Sequence, residues 1–99
     1  MKIRFGDDKL AKLYSEGSKS KEYPEGVREA FLKRVRTIES AADERDLRAL
    51  KSLNFEKLKG EKNRYSVRLN DQWRLMLRFE KDSEGKTVVL IEINRHYGD

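Results

Sequence analysis

Two arginines and a histidine, Arg68, Arg74 and His96, are the side chains in this sequence best suited to handle a phosphate group. Guanidinium donates two parallel hydrogen bonds to phosphate oxygens, and histidine is the side chain whose pKa suits proton transfer near neutrality. Around the arginines, Lys57, Lys59, Lys62, Arg64 and Arg78 complete a set of seven cations between positions 57 and 78, against two acids, Glu61 and Asp71. That stretch holds the whole of the net charge of +5; in the rest of the chain basic and acidic side chains are equal in number. Concentrated positive charge on a small chain is the footprint of a polyanion ligand. A merely solvated basic surface would carry the same count, so the directions in which these charges point must decide.

Composition narrows the chemistry further. Ninety-nine residues correspond to one domain, expected to span residues 1–99. Charged residues make up 41% and hydrophobic ones 36%, but the apolar residues arrive in periodic clusters with 9% aromatics, which marks a folded chain. The absence of Cys excludes disulfides, thiolate-bound zinc and thiol nucleophiles, and a single His excludes a multi-histidine metal site within one chain. No metal and no cofactor is therefore expected. No apolar run reaches the ~18 residues of a membrane span, and MKIRFGDDKLAKL lacks the apolar core of a signal peptide. A soluble protein of the cytoplasm, with no membrane partner, is the expectation.

The elements that must position these residues follow from periodicity. MKIRF alternates Ile3 and Phe5 with polar neighbours, as a short strand does. Asp7 and Asp8 are N-cap candidates for a helix carrying Leu10, Leu13 and Tyr14, which Gly17 would end. Pro24 suits a first helical turn, and Val27, Phe31, Val35, Ile38 and Ala42 then form one apolar stripe on a helix of about five turns. ERDLRAL continues as a short helical piece, with Leu47 and Leu50 expected under the core. After Asn54 the period changes to two: FEKLK, YSVRL, QWRLMLRF and TVVLIEIN read as strands separated by GEKN, ND and EKDSEG. The order β-α-α-β-β-β-β predicts an α+β domain, two N-terminal helices packed on one face of a mostly antiparallel sheet.

Strand alternation assigns faces. Tyr65, Val67 and Leu69 lie opposite Ser66 and Arg68, and Trp73, Leu75, Leu77 and Phe79 lie opposite Arg74, Met76 and Arg78. If the two strands form one hairpin, a two-residue turn would pair Val67 with Arg74 and mix the faces. A three-residue loop, Asn70-Asp71-Gln72, pairs Val67 with Leu75 instead, with Asn or Asp in the left-handed position. That register sets Arg68 directly across from Arg74. Like charges so placed repel. Solvent or Glu92 on a neighbouring strand would relieve the pair; alternatively it is an anion site, relieved only when a phosphate arrives. With Val89, Ile91 and Ile93 in the core, Glu92, Asn94 and His96 would share the arginine face, and an inward Leu58 would add Lys57 and Lys59.

The run LKGEKNRYSVRLNDQWRLMLRF resembles the core of the HigB (plasmid maintenance killer) toxins of the RelE superfamily, whose pattern runs approximately L-x-G-x-R-x-G-Q-x-S-I-R-V-N-x-Q-W-R-I-x-F. AADERDLRAL is similar to that family's L-D-A-A-x-x-x-x-D-L-R, and the opening strand and helix are alike. The resemblance implies a RelE-like microbial RNase fold that cleaves mRNA in the ribosomal decoding site without metal and is neutralised by a helix-turn-helix antitoxin. That HigA-like antitoxin would also carry the toxin to operator DNA. On matching positions the resemblance implies Arg68 and Arg74 as the arginines holding phosphate, Lys57 or Lys59 as the upstream lysine, and His96 as the C-terminal histidine. Lys59, Lys62, Arg64 and Arg78 would contact RNA, and Tyr65, Tyr97 or Phe55 would stack on a base. The sequence departs from the family ending I-V-D-Y-H: it reads I-N-R-H-Y, with Asn94 and Arg95 where Asp and Tyr are usual. A domain that binds RNA or antitoxin without cleaving, or a module for an acidic protein partner, would use the same basic face.

Overall fold

A computed structural model describes residues 1–15 and 23–95. The chain forms β1 (Lys2–Phe5), α1 (Asp8–Ser15), α2 (Val27–Ser40), α3 (Glu44–Ala49), a 3-10 turn at Lys51–Leu53, then β2 (Glu56–Lys57), β3 (Tyr65–Arg68), β4 (Trp73–Asp82) and β5 (Gly85–Arg95). The five strands form one sheet in the order β1-β5-β4-β3-β2. β1 runs parallel to β5, and the other neighbours are antiparallel. The α+β class and the mostly antiparallel sheet are as the periodicity predicts.

One face of the sheet is sealed by the helices. Leu10 and Leu13 of α1, Val27, Phe31, Val35 and Ile38 of α2, Leu47 of α3 and Leu53 are buried against Val67, Leu75, Leu77, Val88 and Leu90. Removing these side chains from water is the main force holding the helices on the sheet. At the start of α1 the Asp7 carboxylate accepts from the Lys9 N–H at 2.9 Å, the N-cap expected of that aspartate pair. Gly6 carries the β1–β5 pairing one step further, donating to the Leu90 carbonyl at 2.8 Å, and a Cβ there would stand 3.0 Å from the Val89 side chain. An added methyl would fit only if Val89 and the Leu90 carbonyl gave way by a few tenths of an ångström.

Several local expectations change. Pro24 precedes α2 rather than opening it: its carbonyl accepts from Val27 N–H, and Gly26 turns the chain in the left-handed region at φ 89° before the helix begins. The helix ends at Ser40, so helical spacing no longer applies beyond it; Ala41 is buried and Ala42 exposed. Leu50 is 45% exposed, because α3 closes at Ala49 and the chain turns to insert Leu53 in its place. The strand at FEKLK contracts to Glu56–Lys57. The β4–β5 connection is shorter than EKDSEG, with Asp82 paired to Gly85 and the Asp82 carboxylate accepting from Glu84 N–H. The assignment of Gly17 as a helix stop lies outside the described residues.

The last strand contains a shift of phase. Met76 pairs with Glu92 and Leu77 with Leu90, which leaves Ile91 as the extra residue of a β-bulge. On the helix side β5 therefore contributes Val88, Leu90 and Ile93 rather than the unbroken alternation Val89, Ile91, Ile93. Val89 is fully buried, but on the opposite side of the sheet across from Arg78. Beyond the bulge, Glu92 and Asn94 do stand on the side away from the helices, across from Met76 and Arg74.

Candidate anion-binding face

The β3–β4 hairpin has the three-residue register: Val67 pairs with Leu75 and Arg68 with Arg74. Its loop works differently from the expectation, since neither Asn70 nor Asp71 has positive φ. The Asn70 side-chain oxygen instead accepts from the N–H groups of Gln72 and Trp73, at 2.8 and 2.9 Å, and the Trp73 carbonyl accepts from Leu69 N–H at 2.9 Å. A side chain thus supplies the turn that a left-handed residue would otherwise make. Away from the helices, neighbouring strands align Glu56 with Ser66, Ser66 with Met76, and Arg68 with Arg74, which pairs in turn with Asn94.

Arg74 is built into this face. It is 7% exposed, and its Nε donates to Ser66 Oγ at 2.9 Å while an Nη donates to the Asn54 carbonyl at 2.7 Å. The Glu56 carboxylate stands 3.9 Å away. Burial holds the Arg74 pKa below the usual arginine range; Glu56 opposes that shift and the nearby Arg68 charge adds to it. The carbonyl that meets Arg74 belongs to Asn54, which adopts the left-handed conformation (φ 45°) where the 3-10 turn ends.

Arg68 is more open. Its side chain is 45% exposed and forms an ion pair with Asp71 in the hairpin loop. The backbone beneath it is fixed from the helix side: Arg34 of α2 donates from Nε to the Arg68 carbonyl at 2.7 Å and from an Nη to the Ser52 carbonyl at 3.3 Å. The Arg34 pKa is lowered by burial first and by the Arg68 charge second. The repulsion expected of the facing arginines is therefore already met in the free protein, by Asp71 on one and by Ser66, Asn54 and Glu56 around the other.

Glu92 does not neutralise either arginine. It pairs with Arg64, so that ion pair spans β4 on this face. Arg78 shares Glu80 with Arg4 of β1, at 2.9 and 2.8 Å. Lys57 is a correction: β2 places Glu56, not Lys57, on the arginine face, and Lys57 pairs with Tyr65 on the opposite side. Lys57, Lys59 and Lys62 line a concavity of about 390 Å³ around Gly60, at the β2 edge of the sheet. Tyr65 is also on the helix side, stacked on Phe55 with ring centres 5.4 Å apart and edge-on to Phe79 at 5.0 Å. Its ring is engaged by the protein rather than offered to a base. His96 and Tyr97 lie outside the described residues. A larger concavity, about 570 Å³ between α2 and α3, is lined by Lys33, Arg36 and Leu50 and includes none of the arginine-face residues.

Three residues that hold the arginine pair, two on its face and one on α2, are not legible as such in the sequence. Ser66 was on the right side of its strand, but a serine gives no sign that it will receive a guanidinium. A longer strand phased on an inward Leu58 puts Glu56 on the other side, whereas the two-residue β2 aligns it with Ser66. Arg34 reads as one of several cations on the outer face of a helix. Helical spacing separates it from the buried stripe at Val35 and Ile38, and only the tertiary fold brings it to Arg68.

The arrangement is that of a small α+β domain: helices on one face of the sheet, and on the other a cationic surface centred on two opposed arginines. A family model described as the RelE-like toxin of the type II toxin-antitoxin system HigB matches residues 3–96, and the chain belongs to that HigB-like toxin family. The solved structure of a YoeB/ParE toxin from Agrobacterium tumefaciens is similar in fold, with a TM-score of 0.63 at 16% sequence identity, covering 98% of this chain and 100% of that one. No curated protein matches the chain. No described helix is long and apolar enough to cross a membrane.

Proposed function

We propose that this toxin is a ribosome-dependent mRNA endoribonuclease that blocks translation and acts without a metal ion in the cytoplasm. The observation that carries the reading is the Arg68–Arg74 pair on the face of the sheet away from the helices, in a chain of the HigB-like family. RNA supplies its own nucleophile. The 2′-OH attacks the adjacent phosphorus and the P–O5′ bond breaks, leaving a 2′,3′-cyclic phosphate and a 5′-hydroxyl. One group must accept the 2′-OH proton, another must give a proton to the departing 5′ oxygen, and cations must neutralise the charge that gathers on the phosphorane.

Arg68 is the arginine with room to take a phosphate oxygen, and Arg74 contributes its positive field from beneath. Glu56, half-exposed beside Arg74, is a carboxylate in position to accept a proton. His96 is assigned the complementary proton transfer. Lys57, Lys59 and Lys62, with Arg64 and Arg78, are assigned to the RNA backbone, and Tyr97 to a base; the lysine placement favours binding over chemistry for Lys57. A helix-turn-helix antitoxin of the HigA type would be the neutralising partner and would connect the toxin to operator DNA.

A second reading is favoured by the complete set of protein partners around Arg74: a domain that binds RNA and no longer cleaves it. Purified toxin added to programmed ribosomes distinguishes the two. Cleavage of the mRNA within the decoding site supports the nuclease. Binding of intact mRNA leaves the second reading, and neither binding nor cleavage removes both.

A further inference from the structure

We propose that Asp71 is a built-in stand-in for phosphate at Arg68, and that a phosphodiester enters the arginine face by displacing it. This rests on reading that face as an RNA phosphate site, and it goes further by naming the residue that an entering phosphate must displace.

Arg34 and Arg74 both lie close enough for the Arg68 charge to oppose their own. Glu56 is turned to Arg74, and Glu92 is taken by Arg64. The acid that meets Arg68 is Asp71. A guanidinium set among other cations calls for an anion, and carboxylate and phosphate oxygens satisfy it by the same hydrogen-bonding geometry.

Both groups are mounted on fixed backbone. Asp71 is the middle residue of a loop whose backbone is pinned by Asn70, through the two N–H groups at 2.8 and 2.9 Å. The Arg68 carbonyl is held by Arg34 at 2.7 Å. Both backbones are fixed, so the contact can open by side-chain rotation alone, without unfolding the hairpin.

The Asp71 side chain is 87% exposed and that of Arg68 45% exposed. An ion pair so exposed is weak and is screened by salt. Asp71 therefore occupies Arg68 in the free protein yet yields to a phosphodiester that also feels the Arg74 field.

Asp71→Asn keeps the size and shape of the side chain and removes its charge. Titration of a fluorescently labelled oligouridylate is expected to show about threefold tighter binding by this variant, the scale of an exposed ion pair. The gain should shrink as salt rises and vanish when Arg68→Ala is introduced into both backgrounds. If the wild type binds but Asp71→Asn binds no better, or if the gain persists in full without Arg68, the stand-in role is overturned while the RNA reading remains. If the wild type does not bind the oligonucleotide, RNA binding by this face requires the ribosome or fails there too, which the programmed-ribosome experiment decides. Inorganic pyrophosphate followed through the arginine Nε–H resonances then tests the stand-in role separately. A tighter response of Arg68 in Asp71→Asn sustains the proposal, and an identical or absent response in both proteins overturns it.

Discussion

Arg68 and Arg74 are cross-strand partners held in opposite ways: Arg74 is 7% exposed and bonded to Ser66 and the Asn54 carbonyl, whereas Arg68 is half-exposed and meets a loop aspartate. Position on the sheet explains the difference. Arg74 is on β4, flanked by β3 and β5, and the chain entering β2 passes over it; Arg68 ends its strand beside the loop.

This asymmetry separates their mutants. Arg74→Ala leaves Ser66 Oγ and the Asn54 carbonyl without their donor and opens a buried space, a loss of about 1–3 kcal/mol. For a domain of this size each kcal/mol lowers the melting temperature by about 4–8 °C. Arg68→Ala should stay within about 0.5 kcal/mol of the wild type. Thermal unfolding of the two variants measures both, and an unchanged Arg74→Ala would show that its contacts hold nothing together. Mutual repulsion alone, as the sequence register suggests, would instead have made Arg74→Ala stabilising.

RNA affinity should fall steeply with salt. If about four of the clustered cations reach phosphates, the log–log slope for a single strand is about −0.7 × 4, or about −2.8. Between about 50 and 200 mM salt the affinity would drop about fiftyfold. A slope near zero in a salt titration would assign the cluster to solvent.

Expression of the chain should arrest growth, with reversal by co-expressed antitoxin. His96→Gln should lower ribosome-programmed mRNA cleavage by about 10²- to 10⁴-fold if His96 moves a proton. It should also remove one limb of the pH–rate profile. Undiminished cleavage would pass that role to Glu56 or a lysine.

Asn63 ties the lysine-bearing loop to β4. Its side-chain amide donates to the Phe79 carbonyl at 2.6 Å and accepts from Phe79 N–H at 2.9 Å, from a left-handed backbone at φ 52°. Asn63→Ala loses both bonds and strains that conformation, so a loss of about 1–3 kcal/mol and faster hydrogen exchange at Phe79 are expected. Asn63→Gly removes the bonds but not the conformational freedom, and should fall between the alanine variant and the wild type.

Acid should weaken α3. The Asp43 carboxyl caps that helix and is held below the usual aspartate range, first by the Arg45 side chain and then by the Arg45 N–H. A carboxylate with a lowered folded pKa stabilises the fold above its unfolded value near 3.9 and loses that contribution as pH falls through the folded one. Asp43→Asn should keep the cap and flatten the stability profile below about pH 4 in acid unfolding experiments.

What the sequence revealed depended on how local the determining forces are. The hairpin register was legible because an apolar face admits one phase only, and Val67 and Leu75 enforce it. The stripe Val27, Phe31, Val35, Ile38 was legible for the same reason. The bulge at Ile91 was not, since a run of Val, Leu and Ile reads as core in either phase. Nor were the partners of Arg74: Ser66 is its diagonal neighbour on the next strand, and the Asn54 carbonyl reaches it through a turn whose conformation no side chain announces. The lysine side of β2 failed because two residues carry no periodicity.

The parallel pairing of β1 with β5 imposes an order of assembly. Lys2 pairs with Thr87 and Phe5 with Leu90, so the first of the described strands finds its neighbour only in the last of them. The β3–β4 hairpin, by contrast, closes across three residues. Short closures cost less entropy and form sooner, and long ones delay folding. The arginine-bearing hairpin is thus an early unit, while the β1 edge docks late. A nascent chain halted before Gly85 would carry Arg68 and Arg74 on a hairpin without the strand that joins it to β1. Synthesis must pass β5 before the sheet can close, which keeps the folded sheet from existing until that strand has left the ribosome.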